Sequence, residues 1–189
     1  MPLAINASGG TDLGGTVGQA FAQDFFFSGG AGPYTWSVAA GQLPPGLTLQ
    51  TTAGPRDANN ELAGTPTTAG TYTFTMRLSD FNGQQTTQQF TLTIAPPLQI
   101  TSTTLPTGTV GVPYSQDLTA EGGTPPYSWF IEGNIDQLPP GLTLDTTAPD
   151  FNNVVAGTPT QAGTFTFTMQ AQDSQDNWAS ATVTITIKA

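Results

Sequence analysis

The sequence predicts an all-β chain of two antiparallel β-sandwich domains in tandem, and three observations predict it. First, a block of residues occurs twice. Pro33-Tyr34-Thr35-Trp36 and Leu43-Pro44-Pro45-Gly46-Leu47-Thr48-Leu49 return as Pro126-Tyr127-Ser128-Trp129 and Leu138-Pro139-Pro140-Gly141-Leu142-Thr143-Leu144. The step from Trp36 to Trp129 is 93 residues, the length of a small domain rather than of a solenoid unit of roughly 20 to 50 residues. Second, long stretches alternate polar and apolar residues, the mark of half-buried strands. Third, 16 prolines and 22 glycines break up the 189 residues too often for useful helices, and no window repeats apolar residues at helical spacing.

In chain order, residues 21–27 and 114–120 each read as one strand. Tyr34, Trp36 and Val38, with Tyr127, Trp129 and Ile131, place apolar groups at alternate positions of another. The Leu-Pro-Pro-Gly-Leu segments read as rigid extended corners, because proline holds φ near −65° and glycine tolerates a positive φ. Residues 71–78 and 165–171 alternate without a break, as do 90–94 and 183–187, with Thr on the wet face. Between them lie Asp80-Phe81-Asn82-Gly83 and residues 173–177, turn formers at hairpin spacing. About seven strands per repeat imply a two-sheet sandwich. The boundary falls at Ala95-Pro96, giving domains 1–95 and 96–189, and the short Pro96-Pro97 joint predicts a stiff spacer and an end-to-end rod.

Composition narrows the chemistry. Cysteine and histidine are absent, so there is no disulfide, thiolate or imidazole for catalysis or metal binding. Three Lys and Arg stand against 13 Asp and Glu, and this net charge of −10 argues against nucleic-acid binding. No run approaches the roughly 20 apolar residues of a membrane span, and the N-terminus lacks the regions of a signal peptide. The expectation is a mature product, or a piece of a longer exported chain, with an extracellular or cell-surface location.

The ordered set Val110-Gly111-Val112-Pro113-Tyr114, Gly122-Gly123-Thr124-Pro125-Pro126-Tyr127-Ser128-Trp129, Leu138-Pro139-Pro140-Gly141-Leu142, Gly157-Thr158-Pro159-Thr160 and Ala162-Gly163-Thr164 resembles the immunoglobulin-like repeats of bacterial haemagglutinins and large surface proteins. The first copy carries most of the same set and departs at Ser8-Gly9-Gly10-Thr11-Asp12-Leu13. The resemblance implies immunoglobulin-like sandwiches serving as adhesive or spacer units. It implies no catalysis.

Candidate sites are few. Oxygen ligands are all the chain offers, so calcium is the candidate ion and no cofactor is required. Its candidate ligands are Asp80 with Asn82, and Asp173 with Asp176 and Asn177; a looser cluster is Asp57, Asn59, Asn60 and Glu61. Each is also ordinary turn chemistry. The hairpin carboxylates are expected to stand in water with ordinary pKa values, which argues against acid-base catalysis. Strand parity sends Phe25 and Phe27 inward and Phe26 outward, and sends Phe130 outward opposite Ser37 of the first copy; Phe81, Phe151 and Trp178 fall in or near loops. These five outward aromatics are candidate contacts, whereas Trp36 and Trp129 are expected in the core.

The expected function is a non-enzymatic structural and interaction module of a bacterial surface protein, an adhesin-type stalk or spacer. One alternative is a filament subunit joined by β-strand addition through residues 3–5 or 183–187. Another is a carbohydrate-binding module that uses exposed aromatics. Expected partners are neighbouring repeats or identical subunits, with surface glycans or proteins beyond them.

Overall fold

A computed structural model describes residues 1–51, 60–133, 138–145 and 153–189. The chain divides into two compact units, Met1–Pro96 and Pro97–Ala189. Among the described residues every regular element is a strand, and no helix is long and apolar enough to cross a membrane.

The first unit holds β1 (Ala4–Ala7), β2 (Asp12–Thr16), β3 (Phe21–Ser28), β4 (Thr35–Gly41), β5 (Leu47–Thr51), β6 (Asn60–Gly64), β7 (Gly70–Ser79) and β8 (Gln85–Ala95). One sheet runs β1-β3-β6-β5 and the other β2-β8-β7-β4. All pairings are antiparallel except β2 with β8. Among the described residues of this unit the count is eight, against the expected about seven, because the N-terminal segment is split between sheets. Its first half pairs with β3, and its second half crosses over to run parallel to β8.

Period-two alternation does the folding. Phe74, Met76 and Leu78 of β7 and Phe90, Leu92 and Ile94 of β8 are at most 1% exposed, while the intervening residues face outward. Phe25 meets Phe90 edge-on at 4.9 Å and lies 6.2 Å from Trp36. Burying such a ring contributes about 3 kcal/mol relative to leaving it in water.

The second unit holds β9 (Gln99–Ile100), β10 (Gly108–Thr109), β11 (Tyr114–Asp117), β12 (Ala120–Glu121), β13 (Ser128–Ile131), β14 (Leu142–Asp145), β15 (Val154–Gly157), β16 (Gly163–Gln172) and β17 (Trp178–Lys188). The sheet β10-β17-β16-β13 faces β11-β15-β14 and the pair β12-β9 around a core that includes Trp129, Phe167 and Met169.

Three expectations need correction. The strand expected over 114–120 breaks into β11 and β12 at Leu118-Thr119. There the Thr119 hydroxyl lies 2.7 Å from that of Thr101, Ser102 Oγ accepts the Thr119 N–H at 3.0 Å, and Leu118 N–H donates to Asn153 O at 2.7 Å. Phe26 has no hydroxyl at the equivalent place in the first copy, and β3 runs through, pairing it with Asn6. Second, Leu-Pro-Pro-Gly-Leu is a closed turn and not an extended corner. Leu47 N–H donates to Pro44 O at 3.1 Å and Leu142 N–H to Pro139 O at 2.9 Å, with Gly46 at φ 91° and Gly141 at φ 92°. That is the type II pattern, with proline first and glycine at the positive φ. Third, residues 183–187, one of the two strands named for addition to another subunit, lie inside a sheet. β17 pairs with β16 along one edge and with β10 on the other.

Candidate functional site

The hairpin β7–β8 and its counterpart β16–β17 each end in a five-residue turn whose first residue is aspartate. Asp80 and Asp173 are only 7% and 4% exposed, so the expectation that they stand in water is wrong for both. A carboxylate at this depth needs donors, and the backbone supplies them. Asp80 Oδ1 accepts the N–H groups of Asn82 (3.0 Å) and Gln84 (2.8 Å), while Oδ2 accepts that of Ala31 (3.1 Å). Asp173 Oδ1 accepts from Gln175 (2.9 Å) and Asn177 (2.8 Å), and Oδ2 from Thr124 N–H (2.8 Å) and Asn177 Nδ2 (2.9 Å). Burial by itself raises the Asp173 carboxyl. The hydrogen bonds from the Asn177 side chain and from the Asn177, Thr124 and Gln175 backbone outweigh it and hold the group below its usual 3.8.

Each aspartate thus ties its hairpin to the Gly-Gly loop before β4 or β13. The tie is doubled, because Phe81 N–H donates to Ala31 O and Ser174 N–H to Thr124 O, both at 2.9 Å. The tyrosine of each Tyr-x-Trp completes it: Tyr34 OH donates to Gly29 O at 3.1 Å and Tyr127 OH to Gly122 O at 2.7 Å. A Cβ on Gly123 would stand 2.6 Å from Asp173 Oδ2, so glycine lets the loop close over the carboxylate.

Asp176 has a different part. It is exposed and left-handed at φ 61°, the position that Gly83 takes in the first copy at φ 76°. Aspartate tolerates this region better than most side chains. Its Oδ1 accepts from Gln172 Nε2 at 2.8 Å. Of the looser cluster, Asp57 and Asn59 lie outside the described residues; Asn60 is fully buried in β6, and Glu61 is half-buried beside it. Among the described residues no three Asp or Glu side chains converge. Two donors fill each oxygen of Asp173 and Oδ1 of Asp80, so a cation at these turns competes with N–H groups already in place. The expected result is that millimolar calcium moves the melting temperature by less than about 1 °C, since only an ion that binds the folded state raises it. A rise of several degrees would assign calcium to these turns.

The aromatics divide. Phe26 is 51% exposed on β3 and Phe81 is 72% exposed at its hairpin tip, and among the described residues no other ring packs on either. Phe151 lies outside the described residues. Phe130 and Trp178, 41% and 52% exposed, come together on the outer face of one sheet with ring centroids 5.3 Å apart. Parity foresaw that Phe130 faces out. Its meeting with Trp178 was not foreseen, because that depends on the register of β13 against β16 and β17. Trp36 and Trp129 lie in the core as expected, at 6% and 3% exposure.

Comparison with known proteins gives one family and two kinds of relative. The family described as "Putative Ig domain" matches residues 5–95 and again 96–188. A serine-rich adhesin for platelets from Staphylococcus aureus strain MRSA252 is 31% identical over 159 residues, covering 81% of this chain and 10% of the adhesin. The protein of the same name from strain MW2 is also 31% identical over 81% of this chain, which covers 6% of it. The chain thus spans a tenth or less of the length of these relatives. Among solved structures, the I-band fragment I67–I69 of titin has a TM-score of 0.59 at 12% identity, covering 99% of this chain and 66% of that one. Three N-terminal domains of the outer capsid protein Hoc of bacteriophage RB49 have a TM-score of 0.53 at 12% identity, covering 100% and 70%. At such identity these likenesses speak to the fold alone, and both are to serial domains.

Proposed function

The chain belongs to this Ig-domain family in each of its two repeats, and from that membership we propose that it is a non-enzymatic interaction module of a bacterial extracellular or cell-surface protein, an adhesin-type stalk or spacer unit. One observation carries the reading: two family units in direct succession, aligned across 81% of the chain with a bacterial adhesin.

The physical design agrees. Asp80 and Asp173, the buried carboxylates among the described residues, are engaged in holding loops. The outward faces of β7, β8, β16 and β17 carry mostly Thr, Gln and Ser, joined by Arg77, Trp178 and Lys188. Such a surface offers hydrogen-bond donors and acceptors for contacts. Contact with host cells is the reading carried over from the adhesins; their partners are not assigned to this chain by likeness alone.

Two linked measurements test it. Antibody raised against the chain is expected to label intact cells of the source bacterium, and the soluble chain immobilised on beads is expected to raise bead attachment to animal cells, platelets included, above beads coated with an unrelated Ig tandem. Labelling seen only after lysis would overturn the location. Attachment no greater than the control would remove the adhesive role and leave a spacer.

A further inference from the structure

Phe130 and Trp178 form a surface feature that the fold does not require. The first copy, with the same strands, has Ser37 and Gln85 at these positions. The two rings stand on the outer strands of a three-strand strip. Phe130 pairs with Gln170 of β16, while Trp178 pairs with Gln172 two residues along. Each ring leans over the central strand to meet the other at 5.3 Å with planes tilted by 37°. Gln172, the cross-strand partner of Trp178, donates to the exposed Asp176 carboxylate at 2.8 Å.

On the reading that the chain is an adhesive module, we propose that Phe130 and Trp178 are a binding platform for neutral oligosaccharides. Three considerations select this occupant. Two strand spacings by two residues give a strip of roughly 10 Å by 7 Å, the footprint of one or two pyranose rings. The exposed aromatic surface amounts to roughly 200 Å², far below the roughly 800 Å² per partner of a stable protein interface. Sugar rings carry a C–H face that stacks on an aromatic face and hydroxyls that need both donors and acceptors. Gln170, Gln172 and Asp176 supply those beside the rings. Charge chooses among sugars: Lys188 is the only cationic side chain of this repeat and the whole chain carries −10, so carboxylated and sulfated glycans are repelled.

Trp178 reports on its own site, because it is 52% exposed while Trp36 and Trp129 are 6% and 3% exposed. Acrylamide quenching of the red-edge tryptophan emission is measured on the whole chain with cellohexaose, mannohexaose and N-acetylchitohexaose, and with sialylated and sulfated oligosaccharides as charged arms. At millimolar concentration at least one neutral hexasaccharide is expected to lower the quenching constant about twofold or more, and the charged sugars to leave it unchanged. Phe130→Ser, which installs the residue of the first copy, is expected to abolish the protection without altering the melting temperature by more than a few degrees.

The proposal is overturned if no neutral sugar protects, if protection survives in Phe130→Ser, or if only the charged sugars protect. It is also overturned if protection rises with protein concentration in the absence of sugar, which would assign the strip to a second copy. The double variant Phe130→Ser with Trp178→Gln separates this failure from failure of the adhesive reading. Bead attachment that persists in the double variant removes the sugar platform and leaves the adhesin standing.

Discussion

Gly141→Ala is expected to cost the second repeat about 4 kcal/mol and to lower its melting transition by roughly 20 °C, a large share of the stability of a domain this size. Two independent penalties combine. The residue sits at φ 92°, where an L side chain is strained, and an added Cβ would stand 2.1 Å from the carbonyl oxygen of Thr158. That oxygen is backbone and cannot swing aside. On the far side, Gly157 brings its own absent Cβ to 2.2 Å from Gly141 O, and Thr160 N–H donates to Pro140 O at 2.8 Å. The Leu-Pro-Pro-Gly-Leu and Ala-Gly-Thr-Pro-Thr motifs are therefore two halves of one lock. Gly46 and Gly64 repeat it in the first copy, where an added Cβ would run into the carbonyl oxygens of Thr65 and Gly46.

Gly111→Ala is the control. The site shares a positive φ, 75°, but nothing lies within 4 Å of an added Cβ, so the substitution is expected to cost only about 1 kcal/mol. Scanning calorimetry of the full chain reads both. A Gly141→Ala transition that moves no further than that of Gly111→Ala would show that the close carbonyl contact does not exist in solution.

Asp173→Ala is expected to remove about 3 kcal/mol from the second repeat, because it leaves three backbone N–H groups and the Asn177 amide without their acceptor. Asp173→Asn retains one acceptor oxygen and is expected to lose less. The pH dependence follows from the lowered carboxyl. A group whose folded pKa lies below its unfolded value stabilises the fold above the unfolded value, near 3.8, and that contribution disappears as the pH falls through the lower folded value. Wild-type stability of this repeat is expected to fall below about pH 4, and the Asp173→Asn curve to be flatter there. Parallel curves from pH 5 to pH 2, followed by circular dichroism, would remove Asp173 as the group responsible.

How much of this could be read beforehand varies from residue to residue. The inward march of Phe74, Met76 and Leu78 is legible because a strand's two-residue period is local. The same parity placed Phe26 and Phe130 outside, and the repeat itself exposed the surplus aromatics by comparing Phe130 with Ser37. The role of Asp173 was misread as wet turn chemistry because its burial depends on Thr124, far away in the chain. The break of the strand at Thr119 was equally hidden, since its hydroxyl partners Thr101 and Ser102 come from another strand's end.

By itself the sequence determined an all-β chain, duplicated, with apolar alternate positions facing inward and without cysteine or histidine chemistry, because alternation, repetition and composition require no knowledge of what lies across the sheet. Only the tertiary structure decided that paired glycines lock two motifs, that two aspartates are buried organisers of loops, and that Phe130 meets Trp178. Each of these depends on strand register and on which backbone approaches which, and such approaches are set by the packing of segments distant in the chain.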